Sequence, residues 1–292
     1  FANSMTPPIL ASAADLLQAY DVLFCDVWGV VHNGERAYPE AGEALARFRA
    51  GGGTVILVST APGPAGGVEQ VLEKTGARRD AWDAIVSSGD IALRHIAEKG
   101  YSRLHRVGPP ARDRSLFTRL PGPHAPLEEA DAIVCTGLRN SLKETVETYR
   151  DLIEAGVARR TPFVCANPDL VVDVGETRHL CAGSIAAEYE QRGGQVFWAG
   201  KPHPSAYGTA LQVAGELRGR KPELARVLAV GDAVRTDLAA AKGLGVDGLF
   251  ITSGIHNDST MTGGQVDPEK IAALFANQET PPAVAVMSVL RW

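Results

Sequence analysis

The chain has 292 residues, a formal net charge of −5, and ordinary fractions of hydrophobic (45%) and charged (22%) residues. That length suffices for one large core or for a core with an inserted second domain. The mild negative charge gives no basic face for nucleic acid, and no apolar run approaches the roughly 20 residues that a membrane span needs. No secretory leader pattern is visible, so we expect a cytoplasmic protein; the sequence leaves its oligomeric state open, a homo-oligomer included.

The four cysteines, Cys25, Cys135, Cys165 and Cys181, have a spacing that matches no zinc-binding pattern. Three of them lie in apolar runs typical of strands. We therefore expect buried free thiols in a reducing compartment.

Short runs rich in valine and isoleucine alternate with longer helical patterns along most of the chain. This alternation is typical of a parallel sheet with helices on both faces. The first third contains three predicted strands and three predicted helices: strands 21–26, 54–59 and 84–87, helices 39–50 and 66–75, and a helix after the third strand.

The middle third has a different texture, because five prolines interrupt residues 108–126 and predict loops or short elements there. The alternation then resumes with these elements: strand 131–136, helix 140–155, strand 163–166 and helix 182–192. The last third is regular again, with these elements: helix 204–217, strand 227–230, helix 236–244, strand 248–251, helix 267–275 and strand 283–286. We therefore predict a core made of residues 1–99 and 196–292, with a second domain, 100–195, inserted into it.

Four polar residues mark the candidate site, because each lies where a strand or loop gives way to a turn. Asp26, Ser59 and Asp232 follow predicted strands, and Lys201 lies in the loop Gly200-Lys201-Pro202. Ligands of open parallel sheets bind beyond the carboxyl ends of the strands. Two carboxylates suit Mg²⁺, which prefers hard oxygen ligands, while a hydroxyl and an ammonium suit phosphate oxygens.

Taken singly, each of these residues has an ordinary structural explanation. An aspartate after a strand usually forms a turn or caps a helix, Gly-Lys-Pro is usually only a loop, and Thr236 could simply cap a helix. Their joint occurrence in this order favours a functional site.

The same motifs resemble those of the haloacid dehalogenase superfamily over about residues 20–256. The four corresponding segments are Asp26-Val27-Trp28-Gly29-Val30, Ser59, Lys201 within AGKPHP, and GDAVRTD at 231–237. The resemblance is closest to the class IIA branch, which includes sugar-phosphate, nucleotide and pyridoxal-phosphate phosphatases. It implies an α/β fold, with a doubly wound, Rossmann-like parallel sheet and an α/β cap domain inserted between the second and third motifs.

The resemblance also implies roles for individual residues. Asp26 would be the nucleophile and a Mg²⁺ ligand, the backbone carbonyl of Trp28 and the carboxylate of Asp232 would complete the protein ligands, and Asp237 would support the site.

The phosphoryl group would be held by Ser59, Thr60 and Lys201, and Lys201 would also offset the repulsion between Asp26 and the incoming anion. Cap segments similar to ANPD and AGS would form substrate loops, with three residues in that role: Asn167, Asp169 and Gly183. The implied partner is a small phosphorylated metabolite, with neither nucleic acid nor a membrane involved.

Trp28 departs from the family pattern, because most of these phosphatases have a second aspartate at that position to protonate the leaving oxygen. Indole has no acid or base function near neutral pH, and loss of a general acid typically costs ~10²–10⁴-fold in rate. His32 is close enough in sequence to be an alternative acid.

Three functional hypotheses follow. The leading one is a Mg²⁺-dependent phosphatase of small phosphate esters, such as sugar phosphates, that works through an aspartyl-phosphate. The second is a binding or regulatory protein that keeps the phosphate pocket but hydrolyses little, and Trp28 favours it. The third is another class on this fold; Asp232 and Asp237 argue against a metal-free dehalogenase, and the inserted domain argues against a receiver domain.

Overall fold

The computed structural model describes residues 6–292, so residues 1–5 of the predicted first core segment lie outside the described part. The strands are, in chain order, β1 Val22–Cys25, β2 Thr54–Ser59, β3 Ala84–Ser87, β4 Leu104–Val107, β5 Ala132–Cys135, β6 Phe163–Cys165, β7 Val171–Val174, β8 Thr177–Leu180, β9 Val196–Trp198, β10 Val227–Gly231, β11 Asp247–Ile251, β12 Met261–Thr262, β13 Gln265–Val266 and β14 Ala285–Met287. The helices are α1 Ala14–Leu17, α2 Pro39–Ala50, α3 Ala65–Thr75, α4 Ser88–Lys99, α5 Arg114–Phe117, α6 Arg150–Ala158, α7 Ala182–Gln191, α8 Pro204–Arg218, α9 Ala239–Leu244, α10 Asn257–Thr260 and α11 Pro268–Ala276. Shorter helical turns lie at Arg79–Ala81, Leu127–Glu129, Val146–Tyr149 and Leu224–Arg226, and a π turn at Val234–Leu238.

The chain packs as two compact units whose segments alternate along the sequence. The core unit contains described residues 6–59, 70–86 and 201–292, and the cap unit contains residues 60–69 and 87–200. The predicted domain boundaries after residues 99 and 195 stay a prediction.

The core unit is built on a six-stranded sheet in the order β14-β11-β10-β1-β2-β3. The strand pairs β1–β2, β1–β10, β10–β11 and β11–β14 are all parallel. From β1 the sheet grows in one direction through β2 and β3 and in the other through β10, β11 and β14. This confirms the predicted doubly wound α/β fold.

Strand register places the predicted site residues at one edge of this sheet. Cys25 lies opposite Leu57 of β2 and opposite Val230 of β10. Asp26 is one residue beyond Cys25, and Ser59 and Asp232 are each two residues beyond their registered partners. All three therefore emerge at the carboxyl edge.

Proline and glycine residues set the ends of the core helices α2 and α8. Both α2 and α8 have proline at their first position, where the missing amide costs no helical hydrogen bond. Gly219 ends α8 in the left-handed conformation, with φ of 70°, which glycine adopts without a steric penalty.

The cap unit has its own four-stranded parallel sheet in the order β4-β5-β6-β9, and β7 and β8 form an antiparallel hairpin. Residues of this sheet and of α6 and α7, among them Ile133, Ile153, Phe163 and Tyr189, form a hydrophobic core. The cap unit therefore buries its own apolar interior.

The predicted helix over 140–155 is wrong in its first half. Residues 140–145 form turns, and Thr145 forms a capping box with Thr148 that starts the helical segment only at Val146. Leu142, which would belong to the apolar face of the longer helix, is 72% exposed.

Other differences are smaller. Strands β4, β7 and β8 were not predicted, because they are only four residues long and mix polar with apolar side chains. Strand β9 is apolar but was not predicted either, because it has only three residues. The predicted helix 236–244 starts instead as the π turn at Val234, which holds Asp237, and becomes α-helical at Ala239.

All four cysteines are free and buried, as predicted. Within residues 6–292, every helix is too short or too polar to cross a lipid bilayer.

Candidate active site

Three buried aspartates converge at the carboxyl edge of the core sheet. Asp26 follows β1, Asp232 follows β10, and Asp237 lies in the π turn that comes next in the chain. Each offers one carboxylate oxygen to a cluster in which these atoms lie within 4.8 Å of one another. The structure therefore brings the predicted ligands Asp26 and Asp232 together with the predicted supporting residue, Asp237.

Lys201 is the cation of this cluster and is 1% exposed. Its Nζ donates to Asp26 Oδ1 at 2.9 Å, to Asp237 Oδ1 at 2.7 Å and to the Val58 carbonyl at 2.8 Å. An ammonium has three donors, so these three bonds occupy all of them. Lys201 fixes the orientation of two carboxylates. From the sequence we predict that Lys201 acts on the phosphoryl group and is not a structural ion pair; the second part is wrong, because Lys201 pairs with both Asp26 and Asp237, and its phosphate contact stays a prediction.

The electrostatics of the cluster favour a divalent cation. Burial raises the pKa of Asp232 well above its ordinary value, and the charges of Asp26 and Asp237 raise it further. Burial, followed by the charge of Asp26, raises the pKa of Asp237 to about 7, although Lys201 opposes this. When ionised, three carboxylates and one ammonium leave two negative charges, and such a set of hard oxygen ligands fits a divalent cation.

Burial alone would lower the pKa of the Lys201 ammonium, but the charges of Asp237 and Asp26 outweigh it and raise that pKa well above its ordinary value. Lys201 therefore stays protonated throughout the neutral range. Its charge is a constant feature of the site.

Two glycines, which sequence reasoning missed, enclose the Asp232 carboxylate. A Cβ atom at Gly29 would lie 2.2 Å from Asp232 Oδ2, and one at Gly254 would lie 2.0 Å from the same oxygen. The amide of Ile255 donates to that oxygen at 2.8 Å. The available signal was the position of Gly254 and Ile255 after β11, at the same sheet edge as the other site residues.

Trp28 lies beside His32, with ring centroids 5.0 Å apart in an edge-on arrangement. A parallel bridge joins the two residues through bonds from the His32 amide to the Val27 carbonyl and from the Gly29 amide to the His32 carbonyl. This bridge does not use the carbonyl of Trp28, the predicted metal ligand.

His32 is 1% exposed, and burial lowers its pKa to about 4. Its Nδ1 accepts a hydrogen bond from the Gly34 amide at 2.9 Å, which requires an unprotonated nitrogen. The ring is therefore neutral near pH 7 and is not the protonated acid that its proximity to Trp28 suggested.

The remaining predicted residues fall into two groups. Ser59 ends β2 and is buried in the core unit, whereas Thr60 belongs to the cap unit. The Thr60 hydroxyl donates to Asp169 Oδ2 at 2.5 Å, so its proton is already engaged by a predicted cap residue.

The three predicted cap-loop residues also converge within the cap unit. The amide of Asp169 donates to Asn167 Oδ1 at 3.1 Å, and the amide of Gly183 donates to the Asp169 carbonyl at 3.0 Å. A Cβ atom at Gly183 would lie 2.3 Å from that carbonyl oxygen, so a larger residue would displace the loop. Their contact with a substrate stays a prediction.

Comparisons with known proteins agree with this architecture. A family profile described as haloacid dehalogenase-like hydrolase matches residues 23–118, and one described as HAD-hydrolase-like matches residues 198–277. A haloacid dehalogenase-like hydrolase from Brucella suis 1330 is 38% identical, with a TM-score of 0.83 over 97% of this chain and 99% of its own. No curated protein matches the sequence.

Two less similar structures share the fold. A 4-nitrophenylphosphatase from Thermotoga maritima is 22% identical, with a TM-score of 0.66, and the match covers 93% of this chain and 95% of that one. A glycerol phosphate phosphatase from Mycobacterium tuberculosis, in complex with calcium, is 23% identical, with a TM-score of 0.61 over 88% of this chain and 76% of its own.

The raised carboxyl pKa values predict how stability depends on pH. Folding raises the pKa of Asp232 and Asp237 above the ordinary value of 3.8, so both take up protons on folding. The contribution of both is fully present below about pH 4. That of Asp237 is lost as pH rises through its folded pKa of about 7, and that of Asp232 is lost as pH rises through its own raised pKa. In the metal-free protein, we expect the melting temperature to fall between pH 5.5 and pH 8, and Mg²⁺ to restore it at pH 8.

Asp232→Asn is the matched control for this measurement, because its amide does not titrate. The variant should lose part of the pH dependence and most of the Mg²⁺ effect. Equal pH profiles in the two proteins would show that Asp232 does not carry the effect.

Lys201→Met should destabilise the protein by about 3 kcal/mol, because breaking a buried ion pair leaves charges uncompensated. The loss should be larger at pH 8 than at pH 5.5, since protonation of Asp237 relieves the repulsion at the lower pH. Urea denaturation at both pH values measures the change, and Lys221→Met, on the exposed surface, is the control. A similar small loss in both variants would contradict the role of Lys201 as the anchor of the carboxylates.

Proposed function

The chain belongs to the haloacid dehalogenase-like hydrolase family, and from this we propose that it is a Mg²⁺-dependent phosphatase of small phosphate monoesters. The observation that carries the proposal is the buried cluster of three carboxylates around Lys201 at the carboxyl edge of the sheet. Burying three carboxylates with only one ammonium costs desolvation free energy that the ion pairs do not fully repay, so such a cluster is not expected from stability alone. A metal-assisted attack by a carboxylate uses both the acids and the cation.

Asp26 is the proposed nucleophile, since it follows the central strand β1 and its Oδ1 is held by Lys201. Its carboxylate forms a bond to phosphorus while the bond from phosphorus to the ester oxygen breaks, and that oxygen leaves with the electron pair. Water then attacks the phosphorus of the aspartyl-phosphate and loses a proton to solvent, while the bond between phosphorus and the Asp26 oxygen breaks. The electron pair returns to Asp26, so inorganic phosphate leaves and the free carboxylate is restored. Capture on the protein replaces one difficult displacement with two easier ones.

The proposed ligands of Mg²⁺ are Asp26, Asp232 and the carbonyl of Trp28, and the bound ion would supply positive charge against the repulsion between carboxylate and phosphate. Lys201 supplies further positive charge beside the nucleophile. Asp237 holds Lys201 through Oδ1, and its Oδ2 accepts from the Ala233 amide at 3.1 Å. Ser59, at the end of β2, is the proposed hydroxyl donor to the phosphoryl oxygens.

The second candidate function is phosphate-ligand binding with little or no hydrolysis. The observation that favours it is the side chain at residue 28, since indole cannot protonate a leaving group and His32 beside it is neutral. The two candidates share the metal and phosphate sites and differ only in turnover.

Phosphate release from a panel of aryl, acyl and alkyl phosphates, with and without Mg²⁺, tests the proposal. We expect Mg²⁺-dependent release that falls by several orders of magnitude in Asp26→Asn, which keeps the shape of the nucleophile but not its charge. Binding of a phosphate mimic without any turnover would favour the second candidate. Release that is unchanged in Asp26→Asn would place the nucleophile elsewhere.

The missing acid predicts a preference for good leaving groups. The nitrophenolate of p-nitrophenyl phosphate leaves without a proton, whereas the alkoxide of glycerol phosphate leaves poorly. We therefore expect the wild-type protein to hydrolyse the aryl ester much faster than the alkyl ester. Trp28→Asp should raise the alkyl rate selectively, toward the ~10²–10⁴-fold of a positioned acid.

The gain will be reduced by lost packing, since the Trp28 ring lies against Gly34, where a Cβ atom would be 2.4 Å from it. Trp28→Asn is the matched control, because asparagine has the size of aspartate but no acidic proton. It should leave the ratio of alkyl to aryl hydrolysis rates unchanged. A wild-type protein that prefers the alkyl ester would reveal another acid.

A further inference from the structure

The loop that follows β11 forms one wall of the Asp232 site and is anchored independently of the aspartates. The amides of Thr252 and Ser253 donate to the carbonyls of Met287 and Ser288, both at 3.0 Å. The hydroxyl of Thr260 donates to the His256 carbonyl at 2.7 Å and approaches the Thr252 carbonyl at 3.3 Å. The first pair of bonds ties the start of the loop to the sheet edge, and the Thr260 hydroxyl ties the end of α10 back to the loop.

The middle of this loop contacts the carboxylate of Asp232 directly. The Ile255 amide donates to Asp232 Oδ2 at 2.8 Å, and the backbone of Gly254 is so close that a Cβ atom there would lie 2.0 Å from the same oxygen. One oxygen of Asp232 is therefore bound to the backbone, and the carboxylate cannot rotate freely.

His256 is the next residue of the loop, and its ring spans the gap to the turn that follows Asp232. Its Nε2 accepts a hydrogen bond from the amide of Val234 at 3.2 Å, and its ring lies 6.0 Å from the ring of Phe250 on β11. Two bonds in opposite directions thus join the loop to the segment 232–234: Ile255 donates to the carboxylate, and Val234 donates to the imidazole.

We propose that His256 is a positioning residue for the metal site: by binding the Val234 amide, it holds the Ile255 amide on Asp232 and fixes that carboxylate for the cation. The inference rests on the proposed function, because it concerns the same Mg²⁺ ligand. His256 itself does not bind the ion. It acts through the backbone on either side of Asp232, and residues that orient a metal ligand in this way typically contribute about tenfold to metal affinity.

Titration of the full chain with Mg²⁺ alone, followed by calorimetry, tests the inference without any need for activity. His256→Leu fills a similar volume but has no acceptor, and it should weaken Mg²⁺ binding by about tenfold. His256→Gln keeps an acceptor at a similar reach and should bind Mg²⁺ within about threefold of the wild type. Asn257→Ala, at the next position in the chain, which is exposed and begins α10, should bind as the wild type does.

Gly254→Ala supplies a second test, because its methyl group would push on Asp232 Oδ2 and should also weaken Mg²⁺ binding. Asp232→Asn gives the loss expected when the ligand itself is removed. Wild-type affinity in His256→Leu would overturn the inference, whatever the result for Gly254→Ala, and so would equal losses in His256→Leu and Asn257→Ala. A wild-type protein that binds no Mg²⁺ at all would overturn the proposed function itself.

Discussion

The contact between the Lys201 ammonium and two aspartates is the interaction on which the site depends. A lysine that is 1% exposed is stable there because its ammonium donates one hydrogen bond each to Asp26, Asp237 and the Val58 carbonyl. The positive charge of Lys201 also offsets part of the electrostatic repulsion among the three carboxylates, so they can lie close together. The fold supports this arrangement by ending parallel strands β1, β2 and β10 at one level, so that charged residues from distant parts of the chain meet at one edge.

The architecture of the core unit could be predicted from the sequence because its strands are apolar and its helices have clear signals. Runs such as TVILVS and VLAVG are buried along their whole length, and proline and glycine mark the ends of α2 and α8. Strands such as LHRV and TRHL carry no such pattern. Their pairing is decided by neighbouring strands in the cap sheet and by the hairpin, which a local window of sequence does not contain.

Much the same limit applies to the site. Asp26 and Asp232 were predictable because each follows an apolar strand, and Asp237 because the segment GDAVRTD resembles a motif of the family. The structure joins all three in one cluster. The roles of Gly29, Gly254 and Ile255 were not predictable, since they depend on how closely two backbone segments approach one carboxylate. The sequence also could not show that all three hydrogen-bond donors of Lys201 are used, because nothing in it distinguishes the Val58 carbonyl from any other backbone carbonyl.

The buried cysteines can report local unfolding of the chain, because all four are free thiols. Burial raises the pKa of Cys25, Cys135 and Cys181, and a protonated, enclosed thiol does not react with alkylating reagents. Modification therefore requires a local or global unfolding event, and its rate measures how often that event occurs. Cys25 lies in the core unit, and the other three thiols lie in the cap unit. Identifying the modified cysteine by mass spectrometry therefore distinguishes local unfolding of the core unit from local unfolding of the cap unit.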